Sequence, residues 1–339
     1  MPDYPFELGP IRPVDEADSL LIRTTRGCPW NRCEFCTLYK GFKFSLRPVD
    51  EIKADILAAK AYFNGHPFET CFLQDGDSFV MKTRDLVEIL ACLKSAFPTL
   101  KQISSYGRAR TMIKKSPAAF REIRDAGLNK LYCGMESGSK AVLKQIKKGT
   151  TPDTIIQSAR MAREAGMKTA QFIILGLGGK ERSQEHALET AKVLNRTDPD
   201  QIRLLTLGVR QGSGLDRQIS RGDFTLPTET EMIAEQRLLL EHLDGITGSY
   251  VNHHGINLLL EIRGQLPRDK ERMLAVMDRF LKMDQPHRHN FILGRRLGYY
   301  RRLSDMDNTF NRHAVDRQLE NIRETGHETV FHDLRRQVI

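Results

Sequence analysis

Through its first two thirds the chain alternates short apolar runs with longer stretches of helical pattern. The runs lie at 19–23, 70–73, 102–105, 130–134, 169–175 and 201–207, and each has the length of a strand. Between them the pattern predicts helices over 48–63, 82–97, 117–126, 152–165 and 183–195. Ser116-Pro117 and Thr151-Pro152 set a hydroxyl cap before a proline at the first helical position, and Gly127 and Gly166 close those helices. Neighbouring strands that run the same way need a crossover, so strand–helix–strand repeated without a break predicts a parallel sheet. Six such units make an α/β fold, either most of a TIM-like barrel or an open doubly wound sheet, and both put their functional residues just after the strands.

The ends of the chain follow other patterns. Residues 1–18 lack periodicity and hold Pro2, Pro5, Pro10 and Pro13, which predicts an extended arm. Past residue 216 the pattern is mainly helical: 227–243, where Thr228 and Glu231 form a capping box, and 267–283, where Leu266, Met273, Leu274, Met277 and Leu281 lie on or near one face. Between these helices His253 and His254 sit in a polar stretch; a metal or proton-shuttle role is open to them, and a polar loop is the plainer reading. Residues 286–302 contain five arginines and two tyrosines and no acid. A basic helix folded back on the domain explains this, and so does a groove for single-stranded RNA with arginines on phosphates and tyrosines under bases.

Composition narrows the class. A chain of 339 residues, 40% hydrophobic, allows one large domain or a domain with an appendage. No stretch has the length of a membrane span, the start does not read as a signal peptide, and Cys71, Cys92 and Cys133 sit singly among apolar neighbours, all of which predicts a reducing, cytoplasmic setting. The net charge of +9 suits anionic partners or merely a basic surface. What changes the picture is the other half of the six cysteines: Cys28, Cys33 and Cys36, spaced C-x4-C-x2-C just after the first strand. Structural zinc takes four protein ligands, usually as two close pairs, and no Cys or His pair follows at the needed spacing. Three thiolates suit an iron–sulfur cluster with one iron left open. Core cysteines would not be flanked by Pro29, Asn31, Arg32 and Glu34.

The strand ends supply the other candidates. Asp75-Gly76-Asp77 follows the second strand, where glycine permits close approach and the carboxylates suit an ammonium or a ribose; an ordinary acidic turn has the same sequence. Ser105 ends the third strand on the face that would line a ligand site. Glu136 and Ser137 follow the fourth strand, and a carboxylate there is costly to bury unpaired, although it suits a helix N-terminus. Lys148 comes twelve residues later and, like most lysines, would by default be solvated. Gly176 opens a Gly-x-Gly-Gly stretch after the fifth strand that lacks the dinucleotide-binding spacing.

Taken together these motifs resemble the radical S-adenosylmethionine (radical SAM) superfamily, in particular its stand-alone members near the Elp3 and coproporphyrinogen-dehydrogenase-like branch. The cysteine triplet is similar to the family's C-x3-C-x2-C loop with one residue added. The resemblance covers about residues 18–215 and implies a partial (β/α)6 barrel, with 1–18 as an arm and 216–339 as a helical region covering the substrate. It implies a [4Fe–4S] cluster on Cys28, Cys33 and Cys36, with SAM completing the fourth iron. It places Phe35 against adenine, Asp75, Gly76 and Asp77 by the SAM amino group, Glu136 and Ser137 by the sugar or methionine, Lys148 on the methionine carboxylate and Gly176 at adenine. Ser105 is a further candidate lining.

The implied reaction is hydrogen abstraction by a 5′-deoxyadenosyl radical, fed by an external one-electron reductant of flavodoxin or ferredoxin type. The expected substrate is a small molecule, with a lyase reaction on a modified nucleobase or similar heterocycle as one form of it. A tRNA-modifying enzyme working through the basic tail, and a non-catalytic iron–sulfur or zinc RNA-binding module, are the alternatives.

Overall fold

The computed structural model describes residues 4–324 and 326–338. Six strands appear where the apolar runs lie: β1 Leu20–Arg23, β2 Thr70–Gln74, β3 Gln102–Tyr106, β4 Leu128–Glu136, β5 Lys168–Leu175 and β6 Gln201–Thr206. Two short strands, β7 Ser249–Val251 and β8 Gly264–Gln265, extend the same sheet, whose order is β1 to β8 in sequence. The pairings of β1 with β2, β2 with β3, β3 with β4, and β6 with β7 are parallel; β7 and β8 form an antiparallel pair. An α/β fold with successive strands in this order is the arrangement of a partial (β/α)6 barrel, and no pairing among the described residues closes it.

By its contacts the chain divides into two compact units. One takes the chain up to Arg32, Leu38–Met135 and Gly149–Gln171. Its strand register sets Leu20 beside Cys71 and Arg23 beside Gln74, and Leu73 beside Ser105, so the strand ends come level. The helices Val49–Tyr62, Thr83–Ala96 and Pro117–Ala126 cover the sheet, burying Ile52, Ile56, Leu86, Ile89, Leu90, Leu93, Phe120 and Ile123. A Leu or Ile buried in this way stabilises by about 1.5–3 kcal/mol. The expected caps form: Ser116 accepts from the Ala119 amide at 3.1 Å and Thr151 from that of Thr154 at 3.3 Å. The arm is not simply extended. It makes a 3-10 turn, Val14–Glu16, and the buried Glu16 accepts hydrogen bonds from Ser104 (2.8 Å) and Tyr132 (2.7 Å).

The other unit takes Cys33–Thr37, Glu136–Lys148 and the chain from Phe172 on. The helix Ser183–Thr197 follows β5, and Glu229–Glu241 carries the expected capping box between Thr228 and Glu231. Lys270–Leu281 is shorter than its pattern predicts and buries Met273, Leu274, Met277 and Phe280. The arginine-rich segment begins as a helix, Gln285–Arg296, capped by Asp284, and two further helices that the apolar pattern does not announce, Thr309–Asn321 and His327–Arg336, complete the chain. No helix among the described residues is long and apolar enough to cross a membrane.

Candidate active site

The cluster loop begins where β1 gives way to a small ribbon, Thr25–Arg26 paired antiparallel with Ser45–Leu46. Gly27 follows at φ +83°, and its amide donates to the Asp75 carboxylate at 3.2 Å. Asp75 is fully buried; it also takes a 2.6 Å ion pair from Arg23 and a hydrogen bond from the Tyr39 hydroxyl. Burial first, and the Asp75 carboxylate second, push the Tyr39 hydroxyl far above its usual range. Gly76 is the point of closest approach: a Cβ there would stand 3.1 Å from the Gly27 carbonyl oxygen and 3.3 Å from the Cys28 Cβ. Between Cys28 and Cys33, Asn31 sits at φ +46°, a conformation asparagine tolerates. Its side chain donates to the Tyr39 carbonyl at 2.6 Å, and Trp30 packs where any side chain on Gly149 would have to go.

Asp77 lies elsewhere in the same unit. It is fully buried, accepting from the Thr111 hydroxyl at 2.6 Å and the Arg108 amide at 3.3 Å, and burial raises its carboxyl to about 6. A folded pKa above the unfolded one favours the protonated native state, so this contribution is present below about pH 4 and is lost as pH rises through 6. Asp77→Asn keeps an acceptor for Arg108 and removes the charge. We expect it to raise the melting temperature at pH 7.5 and to raise it by much less at pH 4.5; an equal change at both pH values would contradict the buried charge. Ser105 is buried, its hydroxyl 3.3 Å from the Tyr106 carbonyl.

In the other unit the segment Cys33–Thr37 is pinned by Glu34. The Glu34 amide donates to Ile146 (2.9 Å), its carbonyl accepts from Leu215 (2.9 Å), and its carboxylate pairs with Lys147. Gly214 has no room for a side chain beside Glu34. This brings Phe35 to Lys148, whose ammonium lies 5.9 Å from the ring centroid, and Lys148 forms a 2.8 Å ion pair with Glu136. Glu136 sits at φ +64°, a left-handed conformation unusual for this residue and characteristic of functional turns.

Two residues that the sequence reading missed tie the remaining candidates together. The buried His186 ring meets the Ser137 hydroxyl at Nδ1 (2.8 Å) and the Ile174 carbonyl at Nε2 (3.0 Å), which fixes the Nε2–H tautomer in the neutral ring. Buried Glu235 accepts from the Gly176 amide (2.7 Å) and the Ser183 hydroxyl (2.6 Å), and burial raises its carboxyl. His186 and Glu235 approach to 3.6 Å, so the ends of β4 and β5 share one polar network. An acid inside the helix Glu229–Glu241 gives no sequence signal of such a role, because helical charges are ordinarily solvated.

Cys28, Cys33 and Cys36 are half-buried, and none of them is in a disulfide. Among the described residues no group of three or more His, Cys, Asp or Glu side chains is gathered for a single metal ion. Thiolates that each bind a different iron of one cluster have no need to meet at one point. The donor set, three cysteines within nine residues outside any disulfide and a glycine with no side chain against Cys28, fits such a cluster.

The profile of the radical SAM superfamily matches residues 22–194, just over half of the chain. The chain belongs to the radical SAM superfamily. Its cofactors are therefore a [4Fe–4S] cluster and SAM. Among curated proteins it is similar to an uncharacterized methyltransferase of Pyrococcus horikoshii, with 26% identity over 58% of this chain and 42% of that one. It is also similar to the bacteriochlorophyllide d C-8(2)-methyltransferase of Chlorobaculum tepidum, with 29% identity over 40% of this chain and 30% of that one. The chain thus spans less than half the length of these relatives. Among solved structures, coproporphyrinogen III oxidase from Escherichia coli, a radical SAM enzyme, shares the fold with a TM-score of 0.51, 18% identity, and coverage of 66% of this chain and 50% of that one.

Proposed function

We propose that the protein holds its cluster on Cys28, Cys33 and Cys36, binds SAM along Phe35, Ser105, Glu136, Ser137, Lys148 and Gly176, and abstracts hydrogen from a small-molecule substrate. The observation that carries this reading is the grouping of Phe35, Glu136 and Lys148 in one compact unit. An aromatic ring, a carboxylate and an ammonium are the three chemistries that adenine, ribose hydroxyls and a methionine carboxylate need, and Phe35 stands between Cys33 and Cys36 in the chain. When bound, the reduced cluster and SAM supply a 5′-deoxyadenosyl radical and methionine. The chain's own residues bind and orient: Lys148 neutralises the amino-acid end, Glu136 and Ser137 accept from the sugar, and Glu235 holds the Gly176 peptide against the base.

Asp75 and Asp77 take different parts in this proposal. Asp75 has its carboxylate engaged by Arg23, Gly27 and Tyr39, and we assign it to bracing the loop before Cys28. Asp77 is the candidate for the amino group only in so far as Thr111 gives it up. The arginine-rich segment favours a small molecule over RNA. Arg296 is buried against Glu229 at 2.6 Å, Arg295 donates to the Gly255 and Asn257 carbonyls, and the Tyr300 hydroxyl donates to Asn290 at 2.8 Å.

One observation favours a second outcome. Two of the curated relatives are named methyltransferases, so methyl transfer stands beside hydrogen abstraction as the fate of SAM; a lyase reaction rests on the sequence reading alone. Anaerobically reconstituted protein, reduced in the presence of SAM carrying a labelled methyl group, is expected to release 5′-deoxyadenosine. Label appearing in a product other than methionine identifies methyl transfer, and release of neither sinks the proposal. In the same preparation Lys148→Met should weaken SAM binding about ten- to a hundredfold, the worth of a hydrogen bond to a charged group, with iron content unchanged. Unaltered SAM affinity would remove Lys148 from the site.

A further inference from the structure

The helix His327–Arg336 carries Glu328, His332 and Arg335 on one face, at spacings of four and three residues. Arg335 is 1% exposed. Its guanidinium lies 3.3 Å from the Glu229 carboxylate, and the same carboxylate oxygen takes a 2.6 Å ion pair from the equally buried Arg296. Arg295 stands beside them, half-buried. Two guanidinium groups thus meet one buried carboxylate and a third lies within electrostatic reach of it, while the Glu328 carboxyl is pushed up by burial and by the Glu229 charge. Buried positive charge in excess of its partners is costly unless an anion completes it.

The hydrogen bonds tell the same story. Arg335 Nε, Arg295 Nε and His332 Nε2 are all buried with no hydrogen-bond partner. A purely structural ion cluster uses its donors up, because a buried N–H left unpaired costs about 1–3 kcal/mol. His332, pulled down to about 4 by burial and by Arg335 and Arg336, is neutral at pH 7 and can still donate from Nε2.

The cluster also stands at the strand ends. Arg295 donates to the carbonyls of Gly255 and Asn257, and Asn257 in turn holds the Leu204 carbonyl (2.8 Å) and the Thr206 hydroxyl (3.0 Å) at the end of β6. Arg335 touches the Met232 sulfur, the atom that a Cβ on Gly176, at the end of β5, would strike at 2.7 Å. We propose that Arg335, Arg295 and His332 form a subsite for an oxyanion, the carboxylate or phosphate group of the substrate, at the C-terminal ends of β5 and β6. Two guanidinium forks and a neutral imidazole match the planar acceptors of such a group. Only the assignment of this anion to the substrate rests on the function proposed above.

The test is a melting curve of the reconstituted protein in inorganic phosphate, in acetate and in chloride at matched ionic strength. Occupancy of the subsite is expected to raise the melting temperature by about 5 °C at saturating phosphate or acetate over chloride. Whichever of the two acts names the group. Arg335→Gln should reduce that rise to under about 1 °C, and Arg335→Lys, which keeps the charge and loses the fork, should lose most of it. Glu229→Gln removes a competing carboxylate and should keep the rise. Equal curves in all three salts, or a full rise in Arg335→Lys, overturn the subsite. SAM cleavage measured on the same preparation reports separately on the proposed function, so intact cleavage with equal curves removes the subsite alone.

Discussion

Replacing Cys33 with alanine is expected to leave the protein folded and without its cluster. The variant should purify with no more iron than background, show no broad visible absorbance after anaerobic reconstitution, and yield 5′-deoxyadenosine only at the level of the protein-free control. The effect is the largest expected here because a cluster held by three thiolates cannot be held by two with its fourth iron still open to SAM. The fold should survive, since Cys33 is half-buried and makes no core. The neighbouring Glu34 keeps its segment in place through Ile146, Leu215 and Lys147 whichever side chain stands at 33. Cys28→Ala and Cys36→Ala should behave alike. Cys71→Ala is the control, a fully buried thiol whose pKa burial drives far up and which takes no part in the chemistry. Should Cys33→Ala retain iron and cleave SAM, the thiol assignment fails.

The parts of this molecule that were legible in the sequence are those written locally. The strands at Leu20–Arg23 and Thr70–Gln74 show as apolar runs because a buried strand must be apolar along its length, and the helix Pro117–Ala126 is announced by Ser116, Pro117 and Gly127 because helix ends need partners for their orphan groups. Family likeness singled out Phe35, Glu136 and Lys148, and the structure sets the Lys148 ammonium near the Phe35 ring and against the Glu136 carboxylate. What stayed hidden depends on pairing across long stretches of chain. Glu235 meets Gly176 from 59 residues away, and Glu16 meets Tyr132 from 116. Each of these acids sits among residues that give it no local mark, and only the folded chain shows that it is buried. The helices Thr309–Asn321 and His327–Arg336 escaped for a related reason: they bury few residues, Val315 in one and Phe331 with Arg335 in the other, so few apolar positions mark them.

Asp75 shows how such a hidden pairing bears on a proposed role. By family likeness it was expected beside the SAM amino group; the structure binds it to Arg23, Gly27 and Tyr39. Removing one partner of a buried ion pair leaves the other charge uncompensated, a loss of about 3–5 kcal/mol. Arg23 retains Glu7 at 2.9 Å, which holds the cost to the lower part of that range. The Tyr39 hydroxyl and Gly27 amide would also lose their acceptor in Asp75→Ala. We therefore expect Asp75→Ala to lower the melting temperature by about 10 °C, taking about 2–4 °C for each kcal/mol in a chain of this size. The loop before Cys28 would loosen with it, so the variant should lose iron faster to a chelator than wild type does. A ligand contact makes the opposite forecast, with SAM affinity falling while melting and iron release stay as they were. Asp75→Asn separates the two, because it keeps the side-chain volume and an acceptor for Gly27 while removing the charge that Arg23 answers. Bracing predicts a lower melting temperature with unchanged SAM affinity in the cluster-loaded fraction. Weaker SAM binding at an unchanged melting temperature would return Asp75 to the ligand.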